Sequence, residues 1–83
     1  MKVKVKLFAT LMDRLPAGTK GNEVVVEAAD DACIGEVLGP FRLPERMTHL
    51  VLVNGRYIAR EARPNWRLKE GDHLAVWPPV AGG

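Results

Sequence analysis

The sequence predicts an α+β domain in which one sheet packs on one main helix. Three features point to it: an alternating N-terminal segment, a helical apolar stripe in the middle, and a hairpin signal followed by a closing strand. The chain has 83 residues. At that size a chain buries only about 60–65% of its unfolded surface, enough for a single core. A core this small favours a function delivered by a surface or a tail over one delivered by a deep catalytic cleft.

The first strand is predicted over Lys2 to Ala9, where Val3, Val5, Leu7 and Ala9 alternate with Lys2, Lys4, Lys6 and Phe8. Thr10 and Asp13 have the spacing of a capping box, and Pro16 ends the short helical turn they would open. Ala17 to Asn22 reads as a loop, and the β-branched run Glu23 to Glu27 as the second strand. Asp30-Asp31 can cap a helix whose apolar stripe is Ile34, Val37, Leu38 and Phe41, recurring at i, i+3, i+4 and i+7. Gly35 and Gly39 each cost that helix about 1 kcal/mol relative to alanine, so it depends on packing against the sheet, and Pro40 marks its end.

His49 to Val53, Asn54-Gly55 and Arg56 to Ala59 form a hairpin signal, because Asn-Gly suits the positive φ angles of a type I′ turn. The second arm looks short. Arg60 to Asn65 is polar and contains Pro64, and Trp66 and Leu68 can anchor the loop that follows. Gly71-Asp72 turns the chain into a last strand, His73 to Trp77, which Pro78-Pro79 stops by removing two backbone donors.

The 47% hydrophobic content is spread along the chain, and no run approaches the roughly 20 residues of a membrane span. No membrane association is therefore expected. The basic start alternates and reaches Asp13-Arg14 before a signal-type apolar segment develops, so a cytoplasmic location is expected. Cys33 is the only cysteine, which excludes an internal disulfide and fits a reducing compartment. A net charge of +2 is too small to indicate a polyanionic partner, and no nucleic acid is expected.

Candidates for chemistry within the body are few. His49 and His73 each open a strand and have no ligand spacing to each other or to Cys33, so no metal site is expected. Cys33 lies beside the helix stripe and reads as a small buried filler of low reactivity. Lys2, Lys4 and Lys6 read as a solvated strand face. The chain has neither a phosphate-binding Gly-x-x-x-x-Gly-Lys-Ser/Thr loop nor a dinucleotide fingerprint.

The end of the chain is more informative. Residues 1–77 read as the body and residues 78–83 as a tail, Pro78 to Gly83, with nothing to anchor a helix or strand. Fully extended, the tail would carry the terminal carboxylate about 20 Å from the last strand. Gly82 and Gly83 lack Cβ atoms, so they can thread a narrow channel and leave the terminal carbonyl open to attack. Two terminal glycines arise by chance in about one chain in 200, which makes the pair weak alone and strong only together with this order of elements. Phe8, Trp77 and Val80 are apolar residues expected near one end of the sheet, where they serve either as edge packing or as an anchor for a partner.

Over essentially its whole length the chain resembles the ThiS/MoaD family of ubiquitin-like sulfur carriers. The likeness rests on Val5-Lys6-Leu7-Phe8-Ala9-Thr10, Leu52-Val53-Asn54-Gly55, Leu68-Lys69-Glu70-Gly71-Asp72 and Trp77-Pro78-Pro79-Val80-Ala81-Gly82-Gly83, the last being the most specific. The first and last stretches look closer to the molybdopterin-synthase small subunit than to the thiazole-pathway carrier. The helix with its glycines and the Phe41-Arg42-Leu43-Pro44 linker depart from the commoner pattern.

The resemblance implies a β-grasp fold, with a mixed sheet of about four to five strands on one main helix and an extended C-terminal tail. It also implies that the chain is a carrier rather than an enzyme, acting as a small subunit of a molybdopterin synthase-type complex. Gly83, with Gly82 behind it, would be the site of adenylation and thiocarboxylation, and Phe8, Trp77, Pro78, Pro79, Val80 and Ala81 would contact partners. Those partners would be a ubiquitin-activating-type adenylyltransferase, a sulfurtransferase or cysteine desulfurase as sulfur source, and an acceptor such as a molybdopterin synthase large subunit. The chain would bind no cofactor itself, and ATP would be used by the activating partner. The alternatives are a thiamine-thiazole carrier, a ubiquitin-like modifier joined to lysines through Gly83, and a non-covalent module, for RNA among other ligands, using Lys2, Lys4, Lys6, Arg56 and Arg60.

Overall fold

The computed structural model describes residues 1–79. Five strands, β1 (Lys2–Leu7), β2 (Glu23–Glu27), β3 (Leu50–Val53), β4 (Arg56–Tyr57) and β5 (His73–Trp77), form one sheet in the order β2-β1-β5-β3-β4. The two ends of the body meet at its centre, where β1 runs parallel to β5 with Val5 beside Leu74 and Leu7 beside Val76. The pairs β1 with β2, β3 with β5 and β3 with β4 are antiparallel. This is the mixed sheet of a β-grasp domain, with one helix, α1 (Ile34–Leu38), on one side.

Alternation decides which face is buried. Val3, Val5, Leu7, Val51, Leu74 and Val76 have no exposed surface, and they pack with Ile34, Val37, Phe41, Ile58 and Leu68 in one cluster. Each of these larger side chains contributes about 1.5–3 kcal/mol by leaving water. The predicted first strand stops earlier than its pattern, at Leu7. Ala9 turns out of the sheet with φ +53° and opens a 3-10 helix, Ala9–Arg14, held by the buried Leu11. No Thr10–Asp13 capping box forms there, because Phe8 occupies the cap position and its carbonyl accepts the Leu11 N–H directly.

The helix is shorter than its apolar stripe. After Leu38 the chain tightens into a 3-10 turn, Gly39–Phe41, so Phe41 still reaches the core. The cap is Cys33 rather than Asp30-Asp31: its Sγ accepts the Glu36 N–H, while the Glu36 carboxylate accepts the Cys33 N–H at 3.1 Å. The reason lies across the chain, where Ala32 and Ile34 exchange backbone bonds with Trp66 and Leu68. That pairing holds the segment extended until Cys33 and fixes where the helix can begin.

Asn54 and Gly55 take φ of +50° and +83°, the hairpin turn expected, and β4 is two residues long. Asn54 also fastens the hairpin to the next turn, its Nδ2 donating to Asp72 and its Oδ1 accepting the His73 N–H. Arg60–Asn65, to which the sequence assigns no element, is a 3-10 helix. Its anchor is Arg63, a buried guanidinium donating to the carbonyls of Ile58 (3.1 Å), Thr48 (2.8 Å) and His49 (3.1 Å).

Candidate functional site

The last strand, β5, is the central strand of the sheet. β5 is flanked on both sides to its last residues: the Phe8 N–H donates to the Val76 carbonyl at 3.1 Å, and the His49 N–H to the Trp77 carbonyl at 3.0 Å. Pro78 and Pro79 follow with no N–H to offer, so the ladder ends there. The root of the tail is thus fixed by two neighbouring strands. The predicted site residues Val80, Ala81, Gly82 and Gly83 lie outside the described residues.

Phe8 and Trp77 are brought together on the face of the sheet opposite the helix. Their rings stack with centroids 4.0 Å apart and planes 8° from parallel, and both are half-buried. Such a pair contributes about 0.5–1.5 kcal/mol beyond its buried area. Register places Leu50 beside Trp77 and Leu52 between Ala75 and Tyr57 on this same face, continuing the apolar surface, with Tyr57 55% exposed. The sequence pattern places these residues on the solvent side of their strands; only the register shows that they adjoin the stack.

The basic row borders this surface. Lys4 and Lys6 both reach Glu23 across the β1–β2 pair, at 3.3 and 3.6 Å. The hydrogen bond from Lys4 foremost holds the Glu23 carboxyl below its ordinary range, with desolvation opposing it and the charges of both lysines adding to it. Arg56 lies over the Trp66 ring at 5.2 Å, and Arg60 turns to Glu45 and the Thr48 carbonyl. The cations of the RNA reading are therefore divided between the two sides of the sheet instead of forming one stripe. His49 and His73 are both exposed, and the described residues contain no group of three or more His, Cys, Asp or Glu placed to hold a metal. Cys33 is buried, as expected, and its capping role was not visible in the sequence. No described helix is long and apolar enough to cross a membrane.

A five-stranded mixed sheet over one short helix, with its C-terminal strand at the centre, defines a small protein of the ubiquitin-like β-grasp class. The ThiS family model matches residues 5–83, and the chain belongs to that family. Among solved structures it is similar to SAMP1 from Haloferax volcanii, with 29% identity over 100% of both chains and a TM-score of 0.69. It is also similar to a Pyrococcus furiosus protein named as a molybdopterin converting factor, subunit 1, with 28% identity over 95% of this chain and 98% of that one and a TM-score of 0.62. A complex of subunits 1 and 2 of molybdopterin-converting factor from Helicobacter pylori contains a chain with the same fold, at 24% identity over 100% of both chains and a TM-score of 0.60. No curated protein matches the sequence significantly.

Proposed function

We propose that this chain is a sulfur carrier whose terminal glycine, Gly83, is adenylated by a partner and converted to a thiocarboxylate that supplies sulfur for molybdopterin. The observation that carries this reading is the family match running through Gly82 and Gly83 to the last residue. The likeness to the P. furiosus converting-factor subunit favours the molybdopterin branch over the thiazole branch.

The chemistry must come from outside the chain. A free α-carboxyl titrates at about 3.3–3.7, so the terminus is a carboxylate at neutral pH and a poor acyl donor. Attack of that carboxylate on the α-phosphorus of ATP, held by an activating enzyme of the ubiquitin-activating type, gives an acyl-adenylate and pyrophosphate. The terminal sulfur of a persulfide, delivered by a sulfurtransferase or cysteine desulfurase, then displaces AMP to give an acyl disulfide. Attack of a thiol reductant on the donor's sulfur breaks the S–S bond, leaving the thiocarboxylate on Gly83 and a disulfide on the donor. The body's part is to present the tail from a rigid root and to offer the Phe8–Trp77 surface to whichever protein encloses it, an acceptor large subunit included. The H. pylori pair supports such a two-subunit arrangement.

Incubated with its cognate activating enzyme, ATP and a sulfur donor, the chain should gain the mass of one oxygen replaced by sulfur. Failure in a system shown to load another carrier would overturn the proposal. The similarity to SAMP1, a small archaeal modifier protein, favours one second reading, in which Gly83 is joined to lysines of other proteins. Lysine-linked adducts without a free thiocarboxylate would establish it in place of the carrier.

A further inference from the structure

On the helix side of the sheet, away from the Phe8–Trp77 stack, a cleft of about 320 Å³ opens between α1 and the 3-10 helix Arg60–Asn65. Its floor is apolar, with Ile34, Leu38, Leu43 and Val51, and its polar lining is dominated by cations. Three arginines, Arg42, Arg60 and Arg63, face one carboxylate, that of Glu45. Arg63 is 8% exposed, and among the described residues it makes no ion pair; its three bonds all go to backbone carbonyls. Arg60 donates at 3.2 Å to the same Thr48 carbonyl that Arg63 bonds at 2.8 Å, which sets two guanidinium groups side by side. Burial, and after it the charge of Arg60, lower the Arg63 pKa from its ordinary value. Glu45 pairs with Arg60 at 3.6 Å but is 85% exposed, a contact a competing carboxylate displaces at little cost.

We infer that this cleft is a second docking surface, and that it takes a segment of a partner protein in which a branched aliphatic side chain stands next to a carboxylate. The aliphatic group fills the floor, and the carboxylate supplies a second countercharge to a cleft in which three arginines share the single carboxylate of Glu45. A phosphodiester backbone satisfies the arginines and leaves the floor unfilled; a basic segment meets like charge. The cleft lies one residue along the chain from the end of β5, since Thr48 lines it and the next residue, His49, donates its N–H to the Trp77 carbonyl. The cleft and the aromatic stack lie on opposite sides of the sheet, so both can be occupied together.

The full chain, isotope-labelled, is titrated with a short blocked peptide alternating leucine with glutamate and followed by NMR. Saturable shifts centred on Gly35, Leu38, Thr48 and Arg60, reduced by salt, are the expected result. Arg60→Gln should weaken binding roughly tenfold, the loss of one charge-assisted hydrogen bond. Should that variant fail to fold, Arg42→Gln, at an exposed position, should also weaken binding. The inference is overturned if the peptide gives no saturable shift or one centred on Ala75 and Trp77. It is overturned equally if the same peptide with lysine for glutamate, or single-stranded oligothymidylate, binds as well. Octanoate binding as tightly as the peptide would reassign the cleft to a small carboxylate ligand.

Discussion

Arg63 brings a positive charge into the protein and meets three carbonyl oxygens instead of a carboxylate. The planar fork suits this task, because donors leave it in several fixed directions at once, which an ammonium group does not match. Arg63→Ala is expected to cost about 2–4 kcal/mol, measured by urea unfolding, and Arg63→Lys to recover only part of it, since the Ile58, Thr48 and His49 carbonyls cannot all be reached from one nitrogen. Nothing in the sequence marks this arginine among twelve lysines and arginines; the signal is its burial, which only the fold reveals. Glu36 gives a pH prediction. The backbone N–H of Cys33 foremost, then the Cys33 side chain and the charge of Arg67, hold its carboxyl below the ordinary 4.5. A depressed pKa in the folded state means stabilisation that is complete above about 4.5 and is lost as the pH falls through the lowered value. The stability difference between the wild type and Glu36→Gln, followed by urea midpoints across the acid range, should therefore shrink as the pH drops. A difference that is constant with pH would show that the carboxylate is not what secures the cap.

At the scale of elements, legibility follows how many constraints a local pattern carries. Asn54-Gly55 specifies its own turn because both φ angles are positive and asparagine and glycine tolerate them. The strands Glu23 to Glu27 and His73 to Trp77 are bounded as the sequence predicts, since alternation or β-branching and turn residues agree at both ends. The helix boundaries are less legible. The spacing of Ile34, Val37, Leu38 and Phe41 is satisfied whether the last turn is α or 3-10, and the start is decided by pairing with residues more than thirty positions away. The helical character of Arg60–Asn65 is not legible for a related reason: it rests on the Arg63 clamp, while Pro64 inside the segment weakens any local helix signal. The two glycines of the stripe then behave differently. A Cβ on Gly35 would meet only Cys33 Sγ, at 3.9 Å, so Gly35→Ala should stabilise the protein by about 0.5–1 kcal/mol, raising Tm by about 2–8 °C in a calorimetric scan. Gly39 has open space around it but takes helical angles directly before Pro40, a combination that side chains resist. Gly39→Ala should therefore gain less than Gly35→Ala or lose stability, although neither site is crowded.

For the whole molecule, the proposed carrier role leaves two addresses for the sulfur, since the chain offers one thiol and one Gly-Gly end. The sequence reading of Cys33 as buried holds, since it lies under the helix start, and β5, the last strand, lies in the middle of the sheet. The sequence also placed Phe8 and Trp77 near one end of the sheet, whereas their stacking depends on β1 and β5 being parallel neighbours, which no local pattern encodes. The described core runs from Val3 to Val76, so it contains no residue of the tail. Deleting Gly83 should accordingly leave Tm nearly unchanged while abolishing sulfur loading. Cys33 contributes through its cap and its small volume. Cys33→Ala is therefore expected to cost about 1 kcal/mol and to retain both loading and transfer of sulfur, read by mass spectrometry and by product formation with the acceptor. Converting the Gly83 carboxylate to an amide removes the group that attacks ATP and should stop both steps with the fold intact. If the folded Cys33→Ala protein fails to load, or the amidated chain still delivers sulfur, the carrier atom is the thiol and the Gly83 assignment is wrong.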